Sequence, residues 1–265
     1  APLRFQASLG EKVYHNAPGF AQPWLPGPQQ SGSVTWPIVE LRDALVRSAG
    51  RDPVITHAAS VLVQEIASIN PDVTLPDAAI AQFHRSDESG TTANFAEYLS
   101  ATAPDVWTYA PGKAWTAPGG QGSKGSDGVA SSLTSTPNSI GYVELSFVLD
   151  GDLKAANVDN GAGAVEATSA NAATAIEAAQ IVGEGNDLAL QLDPTIAEAG
   201  AYPIVLVTYE ITCSAGLPAE QLDIVKPFLQ YAASTDGQSI LEGIGYVPIT
   251  GELLSKVEAA VDALA

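Results

Sequence analysis

The chain has 265 residues, 46% of them hydrophobic and 15% charged, which predicts a globular protein with one large or two medium domains. Its net charge of −19 argues against a nucleic-acid partner, because such a field repels polyanions. No run of about 18 apolar residues occurs, so no membrane-spanning helix is predicted. The single Cys213 excludes an internal disulfide. The three scattered histidines lack metal-binding spacing, so no metal and no cofactor is expected.

The charge is distributed unevenly along the chain. Residues 1–70 carry five basic and five acidic side chains, whereas the remaining residues carry 6 basic and 25 acidic ones. Seven of the 18 prolines precede residue 54. The amino-acid composition of the chain therefore changes near residue 66. A chain that begins at Ala1 is expected to be a processed protein or a fragment.

Hydrophobic periodicity predicts alternating strands and helices, and hence an α/β fold. Residues 1–35 are punctuated by proline and glycine and are expected to be coil. Residues 37–50 have apolar residues at helical spacing, and 55–69 fit either a helix or a strand. The later predicted strands are 78–85, 139–148 and 202–213, and the later predicted helices are 91–100, 128–136, 169–180, 219–234 and 250–265.

The most informative segment is "FHRSDESGTTANF", residues 83–95. A strand that ends at Arg85 and a helix that begins near Ser89 would leave the first backbone N–H groups of the helix unpaired. Gly90 allows a ligand to approach the backbone closely, and Ser89 and Thr91 add hydroxyl donors. Every part of this turn fits a phosphate group.

Arg85 adds a planar guanidinium suited to a tetrahedral oxyanion, and Asp87 can hold that guanidinium in place. A plain structural interpretation remains open, in which Ser89 caps the helix and Arg85 pairs with Asp87 at the surface. A catalytic triad of His84, Asp87 and Ser89 is disfavoured. Ser89 lacks the G-x-S-x-G context, and adjacent strand positions send His84 and Arg85 to opposite faces.

The glycine-rich stretch 119–128 contains Gly120-x-Gly122-x-x-Gly125, which formally matches a dinucleotide fingerprint. No strand is predicted before it and no βαβ unit with a terminal acid after it. We therefore interpret the stretch as a flexible loop.

Several motifs recur in this order in one known family: "FHRSDESGTTANFAEYLS", "GSKGSDGVASSL", "NSIGYVELSF", "AYPIVLVTYEITC" and "GYVPI". From about residue 66 to 265 the chain resembles the substrate-binding protein of the bacterial high-affinity phosphate ABC transporter, in its actinobacterial form. The resemblance implies a two-lobed periplasmic-binding-protein clamshell of type II. Residues 1–78 plus 205–265 would form the first lobe and 79–204 the second.

The resemblance also implies the function. Arg85, Ser89, Gly90 and Thr91 would bind inorganic phosphate, with Asp87 orienting Arg85. The protein would be a non-enzymatic monomer outside the cytoplasm, secreted or lipoprotein-like, with a membrane anchor in its full-length form and an ABC permease as partner. Two other functions stay open: a structural or surface lobe that has lost phosphate binding, and a phosphate-ester hydrolase, for which no activated nucleophile is visible.

The first lobe departs from the family pattern. Its hydroxyl-bearing turn, its "TGSGAG"-like loop and its "GSD"-like loop, whose Asp accepts the phosphate proton, are not recognisable in residues 1–65. The first lobe is therefore expected to be incomplete or divergent. A different reading frame, a fusion or sequence divergence would each explain why residues 1–65 lack these motifs. Translating the encoding DNA in all three frames tests the reading-frame explanation.

Overall fold

The computed structural model describes residues 80–151 and 153–265, together with the backbone of two earlier segments, 2–16 and 35–36. The strands are β1 (Pro2–Asn16), β2 (Thr35–Trp36), β3 (Ala81–Arg85), β4 (Gln121–Ser123), β5 (Ser139–Glu144), β6 (Lys154–Ala155), β7 (Asn157–Asp159), β8 (Ala164–Val165), β9 (Gln180–Ile181), β10 (Leu190–Gln191), β11 (Val205–Cys213) and β12 (Tyr246–Val247). The α-helices are α1 (Gly90–Thr102), α2 (Gly125–Ser135), α3 (Leu145–Gly151), α4 (Ser169–Glu177), α5 (Ala219–Ala233), α6 (Thr235–Ser239) and α7 (Gly251–Asp262), with a 3-10 turn at Glu242–Ile244.

The main sheet has seven described strands in a mixed arrangement. Its order is β11, β1, β5, β3, β4, with β6 and β12 paired to β1. β3 runs parallel to both β4 and β5, whereas β1 is antiparallel to β5 and β11. The carboxyl ends of β3, β4 and β5 therefore meet at one edge of the sheet. Ligands of open α/β sheets bind at such an edge.

Three apolar clusters hold the described part together. The largest joins α1, β5, α4 and β11, and its fully buried side chains include Phe95, Tyr142 and Tyr202. A second lies between α5 and α7, and a third packs α2 against β3 and β5. Burial of large apolar side chains is the main favourable term in folding, so these clusters stabilise the packing of the helices on the sheet.

Most predicted elements are confirmed, with shifted boundaries. The strands near 81–85 and 205–213 and the helices near 90–102, 219–233 and 251–262 are present. The predicted stripe of α7 is confirmed, because Val257, Val261 and Leu264 are buried. The helix predicted at 169–180 ends at Glu177, where β9 soon follows.

The predictions for residues 139–148 and 1–35 were wrong in part. The strand predicted over 139–148 stops at Glu144, and α3 follows, because a short apolar run suits either structure. Coil was predicted for 1–35, yet residues 2–16 form β1, which pairs with β11 over nine residues. Leu3, Phe5, Ala7 and Leu9 alternate with polar residues, which is a strand signal, while the proline and glycine punctuation is densest after Asn16. The segments 37–50 and 55–69 lie outside the described residues.

Candidate anion-binding site

Arg85 is the last residue of β3, and its guanidinium forms a two-pronged ion pair with Asp87. Nε donates to Asp87 Oδ1 at 2.9 Å and Nη2 donates to Oδ2 at 2.7 Å. The backbone N–H of Gly125 donates to the same carboxylate at 3.1 Å. The Arg85 side chain is only 13% exposed. Asp87 thus fixes the plane of the guanidinium, as the sequence predicted for it.

The ion pair shifts the titration of both partners in the directions expected for a charge-assisted bond. The hydrogen bonds from Arg85 and then from the Gly125 N–H hold the pKa of Asp87 well below its usual range. The bond to Asp87 raises the pKa of Arg85. Arg85 therefore keeps its positive charge at neutral pH.

The N-terminus of α1 lies beside Arg85. Ser89 is the N-cap: its Oγ accepts from the Thr92 N–H at 3.3 Å, and its own N–H donates to the Lys113 carbonyl at 2.9 Å. Ser89 and Thr91 are buried, whereas Gly90 is exposed. Of the first helical N–H groups, those of Gly90 and Thr91 are the ones that the cap leaves for a ligand within the described residues.

The Arg85 guanidinium also contacts a second helix N-terminus. α2 begins at Gly125, directly after β4, and Arg85 Nη1 donates to Ser126 Oγ at 2.9 Å. The parallel register sets Arg85 opposite Ser123, so the two strand-to-helix turns lie side by side. The interpretation of 119–128 as a flexible loop was wrong, because the stretch forms β4 and the first turn of α2.

Ser126 and Glu144 are site residues that the sequence reasoning missed. Thr91 Oγ1 donates to Glu144 Oε1 at 2.6 Å and accepts from Arg85 Nη1 at 3.4 Å. A signal for Ser126 was present, since "SKGSDG" repeats the hydroxyl-and-glycine turn of "SDESGT". Glu144 ends an apolar strand, a position that an isolated sequence does not distinguish from an exposed acid.

Tyr142 supports the site from the core side of the sheet. Its hydroxyl lies 2.7 Å from Thr92 Oγ1 and accepts from the Arg85 N–H at 3.3 Å. Its ring stacks on Phe95, with the ring centroids 4.7 Å apart. One buried hydroxyl thus ties the end of β3 to the first turn of α1.

His84, Asp87 and Ser89 do not form a hydrogen-bonded triad. His84 stacks on Trp115 with the ring centroids 5.2 Å apart, and its Nδ1 lies 2.9 Å from the Arg85 carbonyl oxygen. Asp87 bonds to Arg85 and Gly125, and Ser89 caps α1. The side chains of His84 and Arg85 have different partners, and of the two only the Arg85 side chain is hydrogen-bonded to Asp87 and Ser126.

The described residues include neither a metal-binding cluster nor a membrane-spanning helix. No group of three or more histidine, cysteine, aspartate or glutamate side chains there is placed to hold a metal ion. In the same part of the chain, no helix combines the length and apolarity needed to cross a membrane.

The Arg85–Asp87 pair predicts a specific dependence of stability on pH. Because the pKa of Asp87 is depressed in the fold, the pair contributes its full stability above the ordinary carboxyl pKa of about 4. That contribution is lost as the pH falls through the depressed value. Asp87→Asn should therefore be less stable than the unsubstituted chain at pH 7, and the difference should shrink below about pH 4.

Urea unfolding midpoints at several pH values between 7 and 2.5 measure this difference. Asp105→Asn, which neutralises an exposed acid in the loop after α1, is the matched control. A difference for Asp87→Asn that stays constant over the whole range would contradict the assignment.

The fold is that of solved binding proteins of the α/β class. The structure matches the phosphate-bound form of the high-affinity periplasmic phosphate-binding protein PfluDING, with a TM-score of 0.67 and 22% identity over 98% of this chain and 71% of that one. It also matches a human phosphate-binding apolipoprotein, with a TM-score of 0.63 and 18% identity over 97% of this chain and 72% of that one. At these identities the likeness shows the fold alone.

A family model described as a PBP superfamily domain matches residues 42–236. The chain therefore belongs to the PBP superfamily, and the predicted type II fold is confirmed. The match begins upstream of residue 66, inside the stretch where the sequence alone showed no resemblance.

The chain is also similar, at higher sequence identity, to several named bacterial proteins. The chain is 41% identical over 204 residues to the phosphate-binding protein PstS 3 of Mycobacterium tuberculosis H37Rv, covering 76% of this chain and 55% of that protein. It is 35% identical over 206 residues to PstS 2 of the same organism, with the same coverage of both chains. The chain is 33% identical over 196 residues to PstS of Xylella fastidiosa, covering 73% of this chain and 53% of that protein. The chain thus spans about half the length of these relatives, which are named as phosphate-binding proteins rather than enzymes.

Proposed function

We propose that this chain binds inorganic phosphate outside the cytoplasm and delivers it to the membrane permease of an ABC importer, without catalysing a reaction. The observation that carries the proposal is a guanidinium held at the N-termini of α1 and α2 at one edge of the sheet. Such an arrangement supplies fixed positive charge and unpaired donors at one point. The chain's similarity to proteins named for phosphate binding supports the choice of anion.

In this proposal the phosphate docks on Arg85, Ser89, Gly90 and Thr91. The Gly90 and Thr91 N–H groups donate to its oxygens, and Arg85, oriented by Asp87, adds the charge. The exposed Gly90 gives the anion its point of approach. These donors act at contact, whereas the distant carboxylates of a −19 chain are screened over about 8 Å at physiological salt, so the net charge does not prevent binding.

The two-lobed mechanism completes the proposal. Residues 79–204 would form the lobe that first holds the anion, and residues 1–78 plus 205–265 the lobe that closes over it. The protein would act as a monomer with a membrane anchor in its full-length form. A lobe of the same fold that has lost phosphate binding is the competing function.

Calorimetric titration of the full chain, stripped of bound phosphate, tests the proposal. We expect one saturable phosphate site per chain and no turnover of a chromogenic phosphate ester. Absence of binding at millimolar phosphate would favour the lobe that has lost its ligand. Turnover of the ester would contradict the proposed transport function and indicate a hydrolase.

A further inference from the structure

Two exposed lysines lie beside the proposed phosphate site, one next to each of its helix N-termini. The Lys113 carbonyl accepts from the Ser89 N–H at 2.9 Å, which places Lys113 next to the cap of α1. Lys124 is the N-cap residue of α2 and directly precedes Gly125, whose N–H donates to Asp87. Neither lysine forms an ion pair with another described residue. Their ammonium groups, each on a flexible four-carbon stem, can therefore face an approaching anion.

Positive charge is scarce after residue 70 and is concentrated at this site. Residues 71–265 carry 6 basic and 25 acidic side chains, and three of the six basic ones are Arg85, Lys113 and Lys124. Of the others, Lys256 pairs with an acid on its own helix, and Lys226 donates to backbone carbonyls. Half of the positive charge of this stretch is therefore placed in or beside one ligand site.

The position of Lys124 is unfavourable for the helix that it precedes. An N-cap position favours serine, threonine, aspartate or asparagine, whose side-chain oxygen accepts from the first turn, and the positive end of the helix dipole repels a cation. Lys124 makes no capping bond, whereas Ser89 makes one at the start of α1. Residues that oppose local stability in this way are expected at functional sites.

We propose that Lys113 and Lys124 steer phosphate electrostatically into the site, so that they raise its association rate without holding the bound anion. This inference rests on the proposed function and specifies its kinetics. Arg85 and the N–H groups of α1 act on the anion at contact, whereas the lysines act during its approach. A positive potential beside a site raises the local concentration of an anion and hence the association rate, and salt weakens the effect.

The remaining charge of the chain opposes the approach of phosphate. A net charge of −19 repels a dianion at distances where hydrogen-bond donors do not yet act. Two exposed acids lie in the same two turns as the lysines: Glu88, directly before the cap of α1, and Asp127, in the first turn of α2. The two lysines offset these two acids, so loss of the lysines would leave the approach to the site negative.

The test measures the association rate of phosphate with the full chain and with the double variant Lys113→Gln/Lys124→Gln. Calorimetry gives the dissociation constant, broadening of the ³¹P resonance of free phosphate gives the dissociation rate, and their ratio gives the association rate. We expect association to be slower by about threefold to tenfold at about 10 mM salt, where the Debye length is about 30 Å. At about 1 M salt, where it is about 3 Å, the difference should vanish. The dissociation rate should not change, as is typical of charges at the rim of a site.

Three further variants control for charge and position. Lys113→Arg/Lys124→Arg keeps both charges and should restore the rate that the glutamine variant loses. Lys256→Gln removes one positive charge from α7 and is the matched control, for which we expect no such loss. Glu88→Gln removes an acid beside the cap of α1 and should accelerate association at low salt.

Lys124→Ser gives a readout that a purely structural role would not produce. Serine would cap α2 and remove the repulsion between the lysine and the helix dipole, so the urea midpoint should rise while association becomes slower. An unchanged association rate in the double glutamine variant, or a loss confined to the dissociation rate and still present at 1 M salt, would overturn the inference while the proposed function stands. Absence of phosphate binding by the unsubstituted chain would overturn both, and that result is seen before any variant is made.

Discussion

Arg85→Ala is expected to weaken phosphate binding by about 10- to 100-fold, the largest loss for a single substitution in the described part of the site. A hydrogen bond to a charged group is worth about 1.5–3 kcal/mol, and Arg85 offers the anion both charge and geometry. The substitution also leaves Asp87 without its cation, so a carboxylate would then face the ligand unneutralised. Calorimetry with phosphate measures the loss.

Two variants distinguish the contribution of the guanidinium geometry to phosphate affinity from the contribution of its positive charge. Lys256→Ala removes the same charge from an exposed pair with Glu252 on α7 and should leave the affinity unchanged. Arg85→Lys keeps the charge but loses the fork that binds Asp87 through two nitrogens, so it should recover only part of the affinity. Equal affinities for Arg85→Ala and the unsubstituted chain would place the phosphate elsewhere.

The sequence was sufficient to predict the first turn of the site because that turn is local. Arg85, Asp87 and Ser89 lie within five positions, and their roles follow from a strand end, an N-cap and a salt bridge between near neighbours. Such interactions depend on short-range geometry, which residue types and spacing encode directly. Whether these residues hold phosphate stays a prediction.

The other half of the described site is not local. Ser126 reaches Arg85 across 41 positions, and Glu144 reaches Thr91 across 53. Both contacts exist because β4 and β5 flank β3 in parallel, and strand order is a property of the whole sheet. A single sequence with no pairing information cannot fix which strand ends meet, so these residues could be found only from the fold.

Strand β1 shows a different limit. Its alternating pattern was present in residues 3–9, but the density of proline and glycine further along dominated the interpretation of the whole stretch. The strand is stabilised by pairing with β11 and β5, which lie far away in sequence. Tertiary pairing of this kind overrides a local preference for coil.

Tyr142→Phe is expected to lower the free energy of unfolding by about 1–3 kcal/mol and, with it, the affinity of the site. The substitution keeps the ring that stacks on Phe95 but removes the hydroxyl of a residue that is only 2% exposed. The Arg85 N–H and the Thr92 hydroxyl would then lose this partner in the core, and a buried polar group left without a hydrogen bond bears its full desolvation cost.

The loss of affinity would have a geometric cause, since Tyr142 touches no proposed ligand atom. Its hydroxyl holds the end of β3 and the first turn of α1 at a fixed spacing, and the anion must contact both. Urea unfolding measures the loss of stability, and phosphate calorimetry measures the loss of affinity. Tyr231→Phe, on an exposed side chain of α5, is the control for removal of a hydroxyl. If Tyr142→Phe lowers stability but binds phosphate as tightly as the unsubstituted chain, the spacing is maintained by the backbone, and the role of Tyr142 is confined to the core.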